Sequence, residues 1–518
     1  MKTGILILII SYAFISPAWS QNVSLDPTFG ADGNGYVALS AIPDPYTEMA
    51  LRTDGRIVMF GTRQFFEYEF IILAGRTPSG LPDSTFGNNG FVTLGPFDFE
   101  DGIPREIIIL PSGKFLICGY FYNETKDVIL LLRLLEDGTI DSTFAQSGVQ
   151  EFLYEDDAFP AWSFTTDDQE NIFLIGMFHN QQAIQKLMPD GSTNLTFGNN
   201  GIALMPVYED SVWEEWGSDI VILPDGNFLT TAKVLVDDSN IGFVASRWNP
   251  DGTVDKTFGH NGSIFFDTGS EVGVFLSIHP QPDGKILYKD YFSYFQNMRL
   301  FRLDQNGMPD LSFGDKGSVF MDSVFGPITN DGLLICSDGS FLMPYSMDVE
   351  DMRHNYLGRF HTNFSVDTSF GNEGRFELPA EIFGLISLSI LFQEENKTIL
   401  NVISGDNFSY YTTLIRLNVD NHVNTSVIPS ANSLISLSPN PSRDRIVIHF
   451  NNTETVSANL ELIDNQGRIL QKLAENLHVD VGENQFEFEL ADDIPPGIVY
   501  VKLNTGSAEQ IYPLMIIP

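Results

Sequence analysis

Short apolar runs separated by turn residues dominate the chain, and almost no stretch shows the 3.6-residue period of a helix. In one typical stretch the turn Pro224-Asp225-Gly226-Asn227 leads into an apolar run. Asp-Gly between alternating apolar residues is a strong hairpin signal, because both residues tolerate positive φ. Related turns recur at Asp54-Gly55, Ser112-Gly113, Asp283-Gly284 and Asp338-Gly339. The pattern therefore predicts an all-β chain built from antiparallel hairpins.

A second motif shows that these hairpins belong to an internal repeat. Thr85-Phe86-Gly87-Asn88-Asn89-Gly90 is one of seven copies between residue 21 and about residue 426. Their phenylalanines are Phe29, Phe86, Phe144, Phe197, Phe258, Phe313 and Phe370. Successive copies lie 53 to 61 residues apart, so each copy corresponds to one structural unit. We expect each phenylalanine to pack between neighbouring units and each glycine to permit a tight bend.

A third signature completes the unit. It is an Arg-Leu segment with a second turn, as in Arg302-Leu303-Asp304-Gln305-Asn306-Gly307. Four short strands per unit of about 57 residues fit a propeller blade better than a solenoid coil. The chain begins with a Thr-Phe-Gly element that lacks preceding strands, and residues 416–426 lack a Thr-Phe-Gly element of their own. Joining these fragments would complete a seventh blade and remove two exposed sheet edges. A seven-bladed β-propeller over residues 21–427 is predicted.

Some features depart from the regular repeat. The third and seventh units have Asp168-Gln169-Glu170-Asn171 and Glu394-Glu395-Asn396-Lys397 in place of the first turn, so these two turns are degenerate. The two cysteines, Cys118 and Cys336, fall in different repeats and lie in or beside apolar runs. We therefore expect buried free thiols rather than a disulfide.

The first twenty residues read as a signal peptide. Lys2 supplies a basic start, residues 5–15 are mostly apolar, and Ala18-Trp19-Ser20 places small residues before Gln21. The apolar run is shorter than the roughly 20 residues that span a bilayer. Residues 1–20 are therefore predicted to be a cleaved Sec signal, and no transmembrane segment is expected in the mature chain.

The C-terminal part of the chain has a different pattern. Residues 428–433 lack the repeat signatures and read as a linker. Five runs of alternating apolar and polar residues follow within residues 434–518. They predict a small antiparallel β-sandwich behind the propeller.

Both regions resemble known families. The repeat motifs resemble the delta-60 family of bacterial repeats, which is associated with seven-bladed β-propellers. Residues 434–518 look like the type A sorting domain of the type IX secretion system of Bacteroidota. The matching positions are Pro439, Asn440, Pro441, Gly467, Gly497 and Tyr500. The resemblance implies that the type IX machinery is a partner of the chain. After Sec transport to the periplasm of a Gram-negative bacterium, this machinery would export the chain to the medium or to the outer-membrane surface.

Charge and motifs limit the possible functions. With 28 Lys plus Arg against 68 Asp plus Glu, the net charge of -40 excludes nucleic acid as a partner. The sequence contains no His-Glu-x-x-His, Gly-x-Ser-x-Gly or phosphate-loop motif, so no catalytic residues and no cofactor are assigned. Paired carboxylates contributed by distant blades could still act in a hydrolase or lyase that cleaves polysaccharide.

Aromatic and acidic residues cluster between the first strand after each Thr-Phe-Gly element and the next strand. The candidate ligand-binding residues are Asp98, Phe99, Trp162, Tyr208, Trp213, Glu214, Glu215 and Trp216. Equivalent loops meet on one face of a propeller, and such residues suit sugar rings or cationic groups. Calcium could also bridge the carboxylates, although no Asp-x-Asp-x-Asp-Gly loop supports it. A simpler interpretation has the aromatics packing between blades and the acids forming a solvated rim.

The sequence thus favours a non-enzymatic binding or adhesion propeller that recognises an extracellular glycan or protein. Two alternatives remain: a propeller hydrolase or lyase acting on extracellular polysaccharide, and a structural component of the cell surface.

Overall fold

The computed structural model contains only β-strands as regular secondary structure in the part of the chain that it describes. The described residues are 23–39, 48–65, 68–97, 101–122, 127–153, 161–178, 181–205, 214–237, 240–267, 275–292, 297–321, 328–336, 338–349, 352–379, 386–394, 396–406, 409–419, 435–438, 445–452, 456–463, 468–479, 482–491, 494, 497–504 and 509–516. No helix among these residues is long and apolar enough to cross a membrane. The predicted signal peptide and linker lie outside them.

The first part of the chain forms seven successive sheets, which we number as blades. Two short strands come first: β1 (Val23–Leu25) and β2 (Tyr36–Leu39). Blade 1 contains β3 (Glu48–Leu51), β4 (Ile57–Phe65), β5 (Tyr68–Arg76) and β6 (Phe91–Phe97). Blade 2 contains β7 (Asp101–Ile109), β8 (Phe115–Tyr122), β9 (Asp127–Leu134) and β10 (Val149–Leu153). Blade 3 contains β11 (Ala161–Thr166), β12 (Ile172–Phe178), β13 (Gln181–Leu187) and β14 (Ile202–Leu204).

The remaining blades repeat this order. Blade 4 contains β15 (Glu214–Ile222), β16 (Phe228–Asp237), β17 (Asn240–Trp248) and β18 (Ser263–Asp267). Blade 5 contains β19 (Phe275–Pro280), β20 (Ile286–Phe292), β21 (Asn297–Leu303) and β22 (Ser318–Met321). Blade 6 contains β23 (Ile328–Asp331), β24 (Leu334–Ile335), β25 (Phe341–Val349), β26 (Met352–Phe360) and β27 (Arg375–Glu377). Blade 7 contains β28 (Ile386–Glu394), β29 (Lys397–Asp406) and β30 (Ser409–Val419).

Both ends of the repeat region build blade 7. β2 pairs antiparallel with β30, with Tyr36 opposite Ile415, and β1 extends the same edge with Val23 opposite Val419. The joining of the two fragments is as predicted, but the sequence pattern missed β1, which is only three residues long. Innermost strands of consecutive blades contact one another, and β28 of blade 7 contacts β3 of blade 1. The seven-bladed propeller expected from the repeat is confirmed.

Each blade is covered on both sides, which explains its apolar strands. Val58 and Phe60 of blade 1 pack with Ile107 and Phe115 of blade 2, whereas Met59 packs toward blade 7. Adjacent residues of a strand point to opposite faces, so a strand with two buried faces reads as a continuous apolar run. The cores of the propeller therefore lie between blades.

The strand order separates the motifs from the variable segments. Because successive strands run in opposite directions, the Asp-Gly turns, the second turns and the Thr-Phe-Gly elements all lie at one end of the blades. We call this end the motif face. At the opposite end the fourth strand of each blade finishes and the first strand of the next blade begins, and we call this end the loop face. Among the described candidate residues, Trp162 and residues 214–216 lie at the loop-face end of their strands.

The two degenerate turns keep their backbone shape. Glu170 and Asn396 adopt φ values of 61° and 65° at the positions that glycine occupies in other blades. Asp167 supports the first of these turns by accepting a hydrogen bond from the amide of Asn171 at 2.8 Å. Local hydrogen bonding thus offsets the steric cost of a left-handed non-glycine residue.

The C-terminal region forms two packed sheets. One contains β31 (Ile435–Ser438), β32 (Arg445–Asn452) and β35 (Gly482–Glu489), and the other contains β33 (Val456–Ile463), β34 (Ile469–Val479), β36 (Gly497–Asn504) and β37 (Glu509–Ile516). Side chains of both sheets, including Ile446 and Val501, share one core. The β-sandwich is confirmed, with seven strands where the sequence predicted five. Gly497 and Tyr500 lie in β36, while Pro439, Asn440, Pro441 and Gly467 lie outside the described residues.

The cysteine expectation is confirmed. Cys118 and Cys336 are free and buried. Burial raises the pKa of each thiol to about 12, so both remain protonated at physiological pH.

Candidate functional site

An arginine on the third strand organises the motif face in several blades. In blade 2, Arg133 Nε donates to Asp141 Oδ2 at 2.8 Å, and Arg133 Nη2 donates to Thr143 Oγ1 at 3.1 Å. Its guanidinium lies 4.8 Å from the ring centroid of Phe144. Arg133 Nη1 also donates to the carbonyl of Pro189 in blade 3. We call this arrangement the arginine staple, because one side chain joins its own Thr-Phe-Gly element to the next blade.

The staple recurs around the ring. Arg247 donates to Asp255 at 2.7 Å and to the carbonyl of Gln305 at 2.6 Å. Arg302 donates to Asp310 at 2.7 Å and to the carbonyl of Thr362. In blade 7, Arg416 pairs with Asp26 at 2.8 Å, contributed by the N-terminal segment, and donates to the carbonyl of Pro78 in blade 1. The same geometry therefore also joins the two ends of the repeat region.

Blade 3 has different polar side chains at these positions but keeps a cation near the ring of its repeat phenylalanine. Blade 3 has Lys186 in place of the arginine and Asn194 in place of the aspartate. Lys186 Nζ lies 6.0 Å from the ring centroid of Phe197, and Asn194 Oδ1 accepts a hydrogen bond from Thr196 Oγ1 at 2.7 Å. Lysine has fewer donors than arginine and occurs here together with a neutral acceptor. No carboxylate at this position is therefore left without an arginine partner.

The phenylalanines of the repeat fill the space between blades. All seven are buried, with at most 3% of their surface exposed. A Cβ at Gly80 would lie 2.6 Å from Phe29, and a Cβ at Gly138 would lie 2.8 Å from Phe86. The glycine of each such second turn therefore makes room for the phenylalanine of the preceding blade, in addition to allowing positive φ.

The staple carboxylates are strongly stabilised in their charged form. Burial opposes this by raising the pKa of Asp141, but hydrogen bonds from Thr143 and Lys114 and the charge of Arg133 hold that pKa well below its usual range. The pKa of Asp310 is lowered in the same way against the effect of burial. Lowered pKa values also occur at Asp26, Asp83, Asp255 and Asp367.

These shifts predict acid sensitivity. A carboxylate whose folded pKa lies below its unfolded pKa contributes stability above the unfolded value, near pH 4, and this contribution disappears as the pH falls through the folded pKa. We expect the melting temperature of the propeller to be nearly constant from pH 7 to about pH 5 and to fall steeply below about pH 4. Thermal unfolding across this range checks the expectation, and a flat profile down to pH 2 would contradict it.

A second set of polar groups lies on the innermost strands. Glu106 Oε2 accepts hydrogen bonds from Ser163 Oγ and from the amide of Phe164, both at 3.2 Å. Asp219 accepts from the amide of Ile278 at 2.8 Å, and its Oδ1 lies 3.3 Å from Ser163 Oγ, whose single proton is donated to one of the two carboxylates at a time. These carboxylates thus bind free amides of the following blade, beside β-bulges that interrupt β7, β11 and β15. We call this set the inner belt.

Sequence reasoning missed the inner belt. Its signal is a polar residue seven positions before the glycine position of the first turn, as at Glu48, Glu106, Ser163, Asp219, Ser277 and Ser389. Polar residues at one register of otherwise apolar strands indicate a shared role, but the role is visible only when neighbouring blades are in contact.

The candidate ligand residues lie at the start of the innermost strands or before them. Trp162 is the bulged residue of β11, and Glu214, Glu215 and Trp216 open β15. β11 and β15 contact each other, so these backbone segments are neighbours at the loop face. Asp98, Phe99, Tyr208 and Trp213 lie outside the described residues. Among the described residues, no group of three His, Cys, Asp or Glu side chains is arranged to hold a metal ion.

Two family models match the chain. The domain of unknown function (DUF5122) beta-propeller matches residues 110–144 and 281–313, and the secretion system C-terminal sorting domain matches residues 436–517. Each propeller match runs from just before an Asp-Gly-type turn to the Thr-Phe-Gly element. A comparison with curated proteins finds no match.

Several solved structures are similar to the chain at low identity. A catalytically inactive virginiamycin B lyase from Staphylococcus aureus is 12% identical over 73% of this chain and 98% of its own, with a TM-score of 0.40. The polysaccharide lyase Uly1 is 8% identical over 74% of this chain and 91% of its own, with a TM-score of 0.43. Domains 1–2 of Drosophila Semaphorin 1b are 8% identical over 74% of this chain and 86% of their own, with a TM-score of 0.36.

The strand order, the repeat and the C-terminal sandwich define an exported repeat β-propeller. More specifically, the chain carries DUF5122 β-propeller repeats of the delta-60 type followed by a type IX secretion system C-terminal sorting domain. The sorting domain supports secretion or display at the cell surface and handling by the type IX machinery.

Proposed function

We propose that the protein is a non-enzymatic binding or adhesion propeller whose loop face recognises an extracellular glycan or protein. In this proposal a Gram-negative cell exports the chain through Sec to the periplasm and then through the type IX machinery. The observation that carries it is the difference between the two ends of the ring. At the motif face, arginine staples use the side chains of the repeat to hold blades together.

The loop face has the chemistry of a recognition surface. Trp162 and Trp216 lie on adjacent innermost strands, and the sequence places Trp213, Tyr208 and Phe99 in the connections just before such strands. Aromatic faces stack on sugar rings, and neighbouring carboxylates accept hydrogen bonds from hydroxyl groups. Loops held by a rigid scaffold are a common location for binding residues.

A second candidate function is supported by the inner belt. Glu106 and Asp219 both lie within 3.3 Å of Ser163 Oγ, so two carboxylates from different blades approach each other. A pair of carboxylates is the catalytic group of most glycoside hydrolases. Their hydrogen bonds to backbone amides favour a structural role instead.

A glycan array tests the binding proposal with the purified mature chain. We expect binding to at least one glycan class, and a loss of affinity of at least about tenfold in both Trp213→Ala and Trp216→Ala. Phe320→Ala is a matched control, because Phe320 is 49% exposed on β22, the outermost strand of blade 5, whereas the candidate residues lie on or just before innermost strands. Its affinity for the glycan should equal that of the wild-type protein.

Other outcomes separate the alternatives. Turnover of a polysaccharide that Glu106→Gln abolishes would establish the hydrolase or lyase. Absence of binding to any glycan or extracellular protein would contradict the proposal and favour a structural surface component.

A further inference from the structure

The first strand of blade 6 is divided between two sheets. β24 pairs antiparallel with β25 of its own blade, with Leu334 opposite Leu342. β23 instead pairs in parallel with β28 of blade 7, with Ile328 opposite Ser387 and Asp331 opposite Ser389. All other sheets of the propeller are antiparallel in their described pairings.

Blade 6 differs from the other six blades at one position of the ladder between the first and second strands. In the other six blades, the residue seven positions before the glycine position of the first turn pairs there with a residue of the second strand. The pairs are Glu48 with Phe60, Glu106 with Cys118, Ser163 with Ile175, Asp219 with Thr231, Ser277 with Lys289, and Ser389 with Asn401. In blade 6 the equivalent residues are Gly332 and Pro344, and the described ladder stops two rows earlier, at Leu334.

Pro344 gives a physical reason for this interruption. Next to the turn, the amide of Cys336 donates to the carbonyl of Ser340 at 2.8 Å. Hydrogen-bonded rows alternate with non-hydrogen-bonded rows in an antiparallel ladder, so the row of Gly332 and Pro344 should be hydrogen-bonded. Proline has no N–H group and cannot donate there. The innermost strand therefore lacks a hydrogen bond that its sheet would otherwise supply.

We propose that Ile328–Asp331 is a two-position strand, which Pro344 biases toward blade 7. In one position it pairs with β28, as in this structure. In the other it pairs with β25, as the innermost strands of the other blades pair with their second strands. The missing hydrogen bond weakens the second position, while a parallel pairing is slightly weaker per residue than an antiparallel one. The two positions are therefore close in free energy.

The location gives the strand a consequence for binding. β23 contacts β19 of blade 5 as well as pairing with β28, so it lies at the innermost strands of three consecutive blades. It also begins at the loop-face end of these strands. Movement of the strand between the two sheets would change the arrangement of the innermost strands at the loop face. A ligand that binds one arrangement more tightly would shift the equilibrium between the two strand positions.

Disulfide trapping in the full mature chain tests the proposal. Asp331→Cys with Ser389→Cys links the strand to blade 7. Thr329→Cys with Ser346→Cys links it to blade 6, because an antiparallel register with a bulge at this row, as in blade 2, would place Thr329 opposite Ser346. Each serine-to-cysteine change alters one atom, and peptide mass spectrometry distinguishes the new links from the buried native thiols.

We expect both pairs to form disulfides, with faster formation of the pair that links to blade 7. Pro344→Ile should shift the ratio of the two rates toward blade 6 by about fivefold, the effect of one restored hydrogen bond. Isoleucine is the residue that blade 3 has at this row, as Ile175. Pro250→Ile, at an exposed turn in blade 4, is the control and should leave the ratio unchanged.

Hydrogen exchange of the protein without substitutions provides a second readout. Amides of Ile328–Asp331 should exchange at least about tenfold faster than those of Ile107–Ile109, which stay in one sheet. An unchanged trapping ratio in a folded Pro344→Ile protein, or equal exchange of the two segments, would overturn the proposal.

Discussion

Phe313→Ala is expected to lower the free energy of unfolding of the propeller by about 3–5 kcal/mol. Phe313 is fully buried between blades 5 and 6 and packs with Leu300, Phe341 and Phe360. Its ring also lies 4.4 Å from the guanidinium of Arg302. Truncation would leave a cavity that a rigid pair of sheets cannot close, so the lost transfer energy and the cavity cost add. Urea unfolding followed by tryptophan fluorescence measures the change.

Phe320→Ala is the matched control for this experiment. Phe320 lies in β22 of the same blade and is 49% exposed, so its truncation should change the free energy of unfolding by less than about 1 kcal/mol. A similar loss in both variants would show that the phenylalanine of the Thr-Phe-Gly element has no special packing role.

Arg302→Met is expected to destabilise the propeller by about 3 kcal/mol. The change removes four contacts of the staple: those with Asp310, Ser312, the carbonyl of Thr362 and the ring of Phe313. It also leaves the largely buried carboxylate of Asp310 with Lys285, whose Nζ is 3.2 Å away, as its nearby cation, beside the hydrogen bonds from the amide and hydroxyl of Ser312. Loss of one partner of a buried pair costs more than the pair contributes, because a charge remains without compensation. Thermal and urea unfolding give the measurement.

Blade 3 supplies a rescue for this variant. The double substitution Arg302→Lys with Asp310→Asn recreates the combination of Lys186 and Asn194. It should recover at least half of the stability lost in Arg302→Met, because the acceptor is no longer charged. If the double variant is no more stable than Arg302→Met, charge compensation is not what the staple contributes.

Much of the fold could be predicted because the repeat makes local patterns redundant. Seven copies of one phenylalanine and five close copies of an Asp-Gly-type turn indicate the blade even where Glu170 or Asn396 replaces glycine. The structure shows why those exceptions are tolerated, since both residues adopt the required left-handed backbone. β1 was missed because three residues carry too little periodicity to signal a strand.

Features that depend on contacts between blades could not be predicted. Arg133 reads in the sequence as one end of an Arg-Leu segment, and nothing nearby shows that it reaches the carbonyl of Pro189, 56 residues away. The division of the blade 6 strand likewise becomes visible only in the structure, where β23 pairs with β28 and β24 pairs with β25. For the candidate ligand residues, the structure adds the adjacency of β11 and β15, which the sequence implied only through the ring.

The central claim is that one end of the ring is used for structure and the other for binding. The most direct test is the affinity for the best-bound glycan of the array, measured in Trp213→Ala, Trp216→Ala, Phe313→Ala and Arg302→Met at a temperature where all four are folded. We predict that the two loop-face variants lose at least about tenfold in affinity, while the two motif-face variants bind within about twofold of the unchanged protein. Equal losses in both groups, or losses confined to the motif-face variants, would contradict the account.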